Sequence, residues 1–84
     1  MIFPKSKRMG KYLKERRMAL GLSQHQVSRL LSYPNSQSIS NWERGCAFPP
    51  LKKFKKLIKT YDISQDELMS ILLNELEILL KRYF

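Results

Sequence analysis

The stretch Gly21-Leu22-Ser23-Gln24-His25-Gln26-Val27-Ser28-Arg29-Leu30-Leu31 is followed by the turn Ser32-Tyr33-Pro34-Asn35-Ser36 and then by Gln37-Ser38-Ile39-Ser40-Asn41-Trp42-Glu43-Arg44-Gly45. It reads as two short helices around a rigid turn. Ser23 and Gln26 have the spacing of a capping box, in which the hydroxyl accepts the Gln26 amide and the Gln26 side chain reaches back. Gly21 sits where a preceding helix needs a left-handed cap, with Leu20 and Leu22 as flanking apolar contacts. Val27, Leu30 and Leu31 face inward on the first helix, which ends near Ser32. Pro34 limits Tyr33 to extended geometry, and Asn35 or Ser36 can cap the second helix. That helix spans about 37–44 and stops at Gly45.

Working outward, residues 1–6 read as an arm, because Pro4 interrupts any early helix. Over about 7–20, Met9, Tyr12, Leu13 and Leu20 fall close to helical spacing among basic residues. Beyond Gly45, Cys46-Ala47-Phe48-Pro49-Pro50 is a stiff connection, and Pro50 suits a first helical turn. Leu51, Phe54, Leu57, Ile58 and Tyr61 then form an amphipathic stripe, with Lys52, Lys53, Lys55, Lys56 and Lys59 on the other face. Ser64-Gln65-Asp66-Glu67 predicts a second capping box, with acids placed where the helix dipole favours them. It opens a long last helix over about 65–83. Nothing reads as a strand. The expected fold is all-α, with five helices.

The 84 residues allow one small domain, and 43% hydrophobic residues predict a real core. A chain of this length buries only about 60–65% of its unfolded surface, so a partner chain would add needed area. No 18-residue apolar run exists to span a membrane, and no apolar segment follows the start as in a secretory signal. Cys46 is the sole cysteine, which excludes an internal disulfide and a zinc finger built on cysteine pairs. A reducing, cytoplasmic setting is expected. The net charge of +9 is unevenly divided: residues 1–60 hold 14 of the 16 Lys and Arg but 2 of the 7 acids, whereas residues 61–84 are net −3. A basic body of this kind favours an anionic partner, with nucleic acid first.

Two helices around such a turn form a helix-turn-helix, whose second helix enters the major groove of DNA. That helix needs an apolar anchor and a polar outer face. Ile39 and Trp42 supply the anchor. Gln37, Asn41 and Arg44 lie at i, i+4 and i+7 as one outward stripe, flanked by Ser36, Ser38 and Ser40. Gln and Asn pair bidentately with adenine, and Arg reaches guanine or phosphate. An ordinary solvated surface helix carries the same residue types, and the segment alone leaves both readings open. Catalysis finds no support, and no cofactor or metal is expected. His25 is the lone histidine, Cys46 has no histidine partner, no phosphate-cradling glycine loop or metal-ligand cluster exists, and Asp66 and Glu67 belong to a capping turn.

Gly21-Leu22-Ser23-Gln24, Val27, Ile39-Ser40-Asn41-Trp42-Glu43-Arg44-Gly45, Pro49, Phe54, Leu57 and Ile63-Ser64 resemble the helix-turn-helix domain of the Xre family, the lambda-repressor and Cro-like DNA-binding proteins. The resemblance covers roughly residues 10–72. It implies five helices and sequence-specific binding of double-stranded DNA, usually by a dimer on a palindromic operator, with transcriptional control in a bacterium or phage. It further implies that Ser36, Gln37, Ser38 and Asn41 face bases. Gln24 then bonds a phosphate, and Arg44, with Ser40 beside it, meets the DNA backbone. Arg17 and Glu43 match a buried structural pair. One departure stands out: the turn Ser32-Tyr33-Pro34-Asn35-Ser36 is one residue longer than usual and lacks the family's glycine. Ile58 also replaces a commonly small residue.

The lysine face of the fourth helix reads either as solvated or as phosphate contacts by Lys52, Lys53 and Lys56. The arm with Lys5, Lys7 and Arg8 is expected either to follow the DNA backbone or to be disordered. Residues 7–72 form the expected DNA-binding domain, and residues 73–84 extend the last helix beyond it. Met69, Leu72, Leu76, Leu79 and Tyr83, spaced 3, 4, 3 and 4, suggest a seam through which two copies pair. The competing reading folds this helix back onto its own core. A regulator is therefore expected, with an antitoxin-type module that holds a protein partner through its tail as the alternative; RNA binding is a weaker third.

Overall fold

The computed structural model describes residues 7–84; the arm expected over residues 1–6 lies outside the described residues. The chain is all-α, with helices α1 (Lys7–Ala19), α2 (Gln24–Leu30), α3 (Gln37–Glu43), α4 (Phe54–Thr60) and α5 (Gln65–Lys81). A single 3₁₀ turn, Leu51–Lys53, leads into α4, so the fourth helix starts tighter than its sequence suggests. Gly21 closes α1 at φ 70°, and the amides of Gly21 and Leu22 reach back to the carbonyls of Met18 (3.0 Å) and Arg17 (3.1 Å). At α2 both bonds of the Ser23–Gln26 box form, at 3.0 and 2.7 Å. At α3 the cap is Asn35, whose Oδ1 accepts the Gln37 amide at 2.9 Å, while Ser36 makes no side-chain cap. The box expected at Ser64 is only half made. Ser64 Oγ accepts the Glu67 amide at 3.4 Å, but the Glu67 carboxylate accepts the Tyr12 hydroxyl at 2.8 Å instead. The longer reach to α1 outcompetes the local return bond.

Met9, Leu13, Val27, Leu31, Ile39, Trp42, Leu57, Tyr61, Leu68 and Ile71 bring every helix or its cap into one core. α1 crosses α3 where Gly10 lies buried against the α3 backbone. A methyl group on Gly10 would meet the carbonyl oxygens of Trp42 and Glu43, the latter at 2.7 Å. The glycine is therefore required by proximity, despite its weak helix propensity.

Leu68, Ile71 and Glu75 are the buried residues of α5, and they fix how the helix is rotated. Leu72 packs partly against the core, and Leu76 and Leu79 are half-buried. Met69 and Tyr83 are exposed, and so are Leu73 (58%) and Leu80 (46%). The expected seam of Met69, Leu72, Leu76, Leu79 and Tyr83 is thus not the open one. The more open apolar line runs Met69, Leu73, Leu76, Leu80, spaced 4, 3 and 4, with Leu76 its one half-buried member. Leu68 and Ile71 produce this offset by turning Leu72 toward the body.

The Tyr61 hydroxyl is buried without a hydrogen-bond partner among the described residues. Burial first, then the neighbouring Glu43 carboxylate, pushes its ionisation well above the ordinary tyrosine range. Two outcomes are expected from thermal melts. Gly10→Ala should lower stability by about 2 kcal/mol by overpacking, opposite in sign to helix propensity. Tyr61→Phe should raise stability at neutral pH by about 1 kcal/mol by removing an unpaired hydroxyl. A tyrosine whose folded pKa is raised contributes stability below its unfolded value that is lost as pH climbs above about 10. The gap between Tyr61→Phe and the parent protein should therefore widen in that alkaline range.

Candidate nucleic-acid interface

The helix expected to read DNA is held from its inner side. Arg17 of α1 meets Glu43 of α3 through two parallel bonds, Nε to Oε2 at 2.7 Å and Nη2 to Oε1 at 2.9 Å. Arg17 Nη1 also donates to the Leu22 carbonyl at 2.8 Å, and Gln24 Nε2 donates to Glu43 Oε1 at 3.1 Å. The two charged side chains are only 12% and 3% exposed. The hydrogen bond to Glu43, more than any other influence, lifts the Arg17 guanidinium above its already high range. One carboxylate therefore joins α1, the start of α2 and the end of α3, with the planar geometry that suits arginine. Gln24, which the family resemblance assigns to a phosphate, is half-buried with its amide nitrogen on Glu43.

On the outer side of α3, Asn41 Oδ1 accepts from Gln37 Nε2 at 3.0 Å and from Arg44 Nη2 at 2.5 Å. Arg44 Nε adds a longer bond of 3.4 Å to the Ser40 carbonyl. The three residues that share a stripe by spacing are therefore bonded into a ladder. Ser36, Ser38 and Ser40 are half-buried beside it. Ile39 and Trp42 are buried beneath.

The lengthened turn has its own support. Ser32 stands at φ 64°, supplying the left-handed residue for which glycine is the ordinary choice. Tyr33 meets Trp42 edge-on, with ring centres 5.6 Å apart and planes at 78°. Lys53 Nζ lies 5.0 Å over the Tyr33 ring and donates to the Leu31 carbonyl at 3.5 Å. Lys56 Nζ donates to Ser32 Oγ at 3.4 Å. Burial pushes the Tyr33 phenol up. The start of α4 is thus tied to the turn through Lys53 and Lys56; Lys52 and Lys56 are exposed and Lys53 is half-buried. The Tyr33–Lys53 pairing had no sequence signal beyond two residue types twenty positions apart.

Lys7 and Arg8 begin α1 and are exposed, and Lys5 of the expected arm is outside the described residues. An apolar groove of about 380 Å³ separates α4 from α5, lined by Leu51, Phe54, Ile58, Leu68, Met69 and Leu72. Cys46 is a free, exposed thiol. Among the described residues, no acidic, histidine or cysteine cluster has metal-holding geometry, and no helix is long and apolar enough to cross a membrane.

This arrangement is that of a helix-turn-helix module, an architecture that binds DNA and is ordinarily not enzymatic. Residues 8–70 match the family model described as a helix-turn-helix domain, and the chain belongs to that family. No curated protein matches the chain.

Removing the shared carboxylate isolates a largely buried guanidinium. Glu43→Ala should therefore cost about 3 kcal/mol in a denaturant titration, the order found when one side of a buried pair is deleted. A loss below the ~1 kcal/mol of an exposed pair would show that α3 is held by its apolar anchor alone.

Proposed function

We propose that the chain is a sequence-specific double-stranded DNA-binding transcriptional regulator of the Xre type, working as a homodimer on a palindromic operator in a bacterial or phage-infected cytoplasm. The observation that carries this reading is the α3 ladder of Gln37, Asn41 and Arg44, facing outward from a helix pinned on its inner side by Arg17 and Glu43.

In the proposed mechanism α3 lies in the major groove. Ser36, Gln37, Ser38 and Asn41 face base edges. Gln24, Ser40, Arg44, Lys52, Lys53 and Lys56 hold the DNA backbone and set the register of α3, because phosphate contacts position and base contacts specify. Lys53 serves two purposes, bracing Tyr33 through its charge while standing near the phosphates.

The open line of Met69, Leu73, Leu76 and Leu80 supports pairing of two copies through α5, since a stripe this apolar calls for cover. The same stripe favours the second reading, an antitoxin-type module that holds a different protein. Sedimentation distinguishes the two: a dimer at tens of micromolar (about the range where such contacts form) supports the first, and a monomer with and without operator DNA supports the second.

Binding should be measured by fluorescence anisotropy on operator and random duplexes at several salt concentrations. Neutralising about 6–8 phosphates per dimer gives a log–log salt slope of about −5 to −7. Asn41→Ala should weaken operator binding by about 1–3 kcal/mol while sparing random duplex, whereas Lys52→Ala should weaken both alike. Equal losses on both duplexes for Asn41→Ala would remove it from base reading.

A further inference from the structure

We propose that Asn41 reads its base pair as a hydrogen-bond donor only, so that the carboxy-terminal half of α3 selects guanine rather than adenine. This rests on the DNA-docking reading above and deepens it. A guanidinium has donors and no acceptor, so the Asn41 atom 2.5 Å from Arg44 Nη2 is the amide oxygen. Gln37 presents its own amide nitrogen to that same oxygen at 3.0 Å. A carbonyl oxygen has two lone pairs, and both are engaged within the ladder.

An asparagine that pairs bidentately with adenine accepts from N6 through its oxygen and donates to N7 through its nitrogen. Here the oxygen is committed, partly to a charge-assisted bond, the stronger kind to give up. Asn41 Nδ2 remains, with its two hydrogens. Beside it Arg44 keeps Nη1 and the second hydrogen of Nη2, since Nε and the first Nη2 hydrogen point to Ser40 and Asn41. The base-facing group at this end of α3 is therefore the Asn41 amide, with two hydrogens to donate and no acceptor, and the free Arg44 hydrogens are left for the phosphate contact. Guanine is the base that shows two acceptors, N7 and O6, side by side in the major groove.

Gln37 differs. It spends one amide hydrogen on Asn41 and keeps its oxygen, so the amino-terminal end of α3 retains a mixed donor and acceptor character. The ladder thus gives α3 a polarity that the residue types alone do not reveal. Its source is Arg44, and removing that side chain frees one of the two lone pairs on Asn41.

Selection from a randomised duplex pool with the full chain, followed by binding to single-site variants, tests this directly. The expected consensus holds a G·C pair in each half-site whose replacement by A·T weakens binding about tenfold or more, the usual weight of one lost bidentate contact. Arg44→Ala should shift the preferred pair at that position from G·C toward A·T, whereas Gln37→Ala should leave it at G·C. Asn41→Asp, which replaces the outward donor with an acceptor, should move it toward a cytosine on the strand being read. A consensus with adenine at this position in the parent protein overturns the inference while leaving DNA reading intact, and so does an unchanged preference in Arg44→Ala. Enrichment of no sequence over random duplex overturns the DNA-reading proposal itself.

Discussion

The bidentate contact between Arg17 and Glu43 is the constraint on which the rest of the structure depends. α2 and α3 are seven residues each, too short to be stable alone. Their orientation must come from tertiary contacts, and apolar packing by Ile39 and Trp42 fixes depth better than rotation. The planar guanidinium accepts Glu43 in one orientation, and its third nitrogen is held by the Leu22 carbonyl. Gln24 completes the arrangement from the first turn of α2. Gly10 permits it, since only a residue without a side chain lets α1 approach the α3 backbone closely enough for Arg17 to reach.

Local signals were legible because they depend on residues a few positions apart. Gly21 as a cap and the Ser23–Gln26 box need only helical geometry, and both are found in the folded chain. The inward stripes hold except at Leu30 and Leu51, which are 54% and 50% exposed because the core closes over their neighbours Leu31 and Leu57 instead. The signals that misled had a distant competitor. Glu67 has the spacing to close a box with Ser64, yet Tyr12, fifty-five positions away, takes its carboxylate. Residue types leave the α3 cap open between Asn35 and Ser36, and the longer turn settles it by placing Asn35 two residues before the amide it accepts.

The outer face of α5 shows the same limit in another form. Two heptad-like lines, Met69-Leu72-Leu76-Leu79 and Met69-Leu73-Leu76-Leu80, overlap in one helix that is apolar on several sides. Periodicity cannot choose between them. The choice belongs to Leu68 and Ile71, which are buried and set the rotation. Likewise the stripe of Gln37, Asn41 and Arg44 was legible as a stripe, but which atoms point outward was not. That depends on hydrogen bonds among the three, and residue names do not carry amide orientation.

Charge placement joins these points. Between Gln24 and Thr60, the span that makes α2, α3 and α4, Glu43 is the only acid against seven Lys and Arg. Burying that carboxylate under Arg17 removes the only negative group from the outward surface of the span. The same contact that sets the rotation of α3 therefore leaves its surroundings uniformly cationic, with Lys53 and Lys56 tied to the turn through Tyr33 and Ser32. The remaining acids fall elsewhere. Glu67 is bonded to Tyr12, Asp62 is a loose 4.0 Å from Arg16, and Glu77 pairs with Lys81 along α5. Positive and negative charge are thus concentrated in different parts of one small chain.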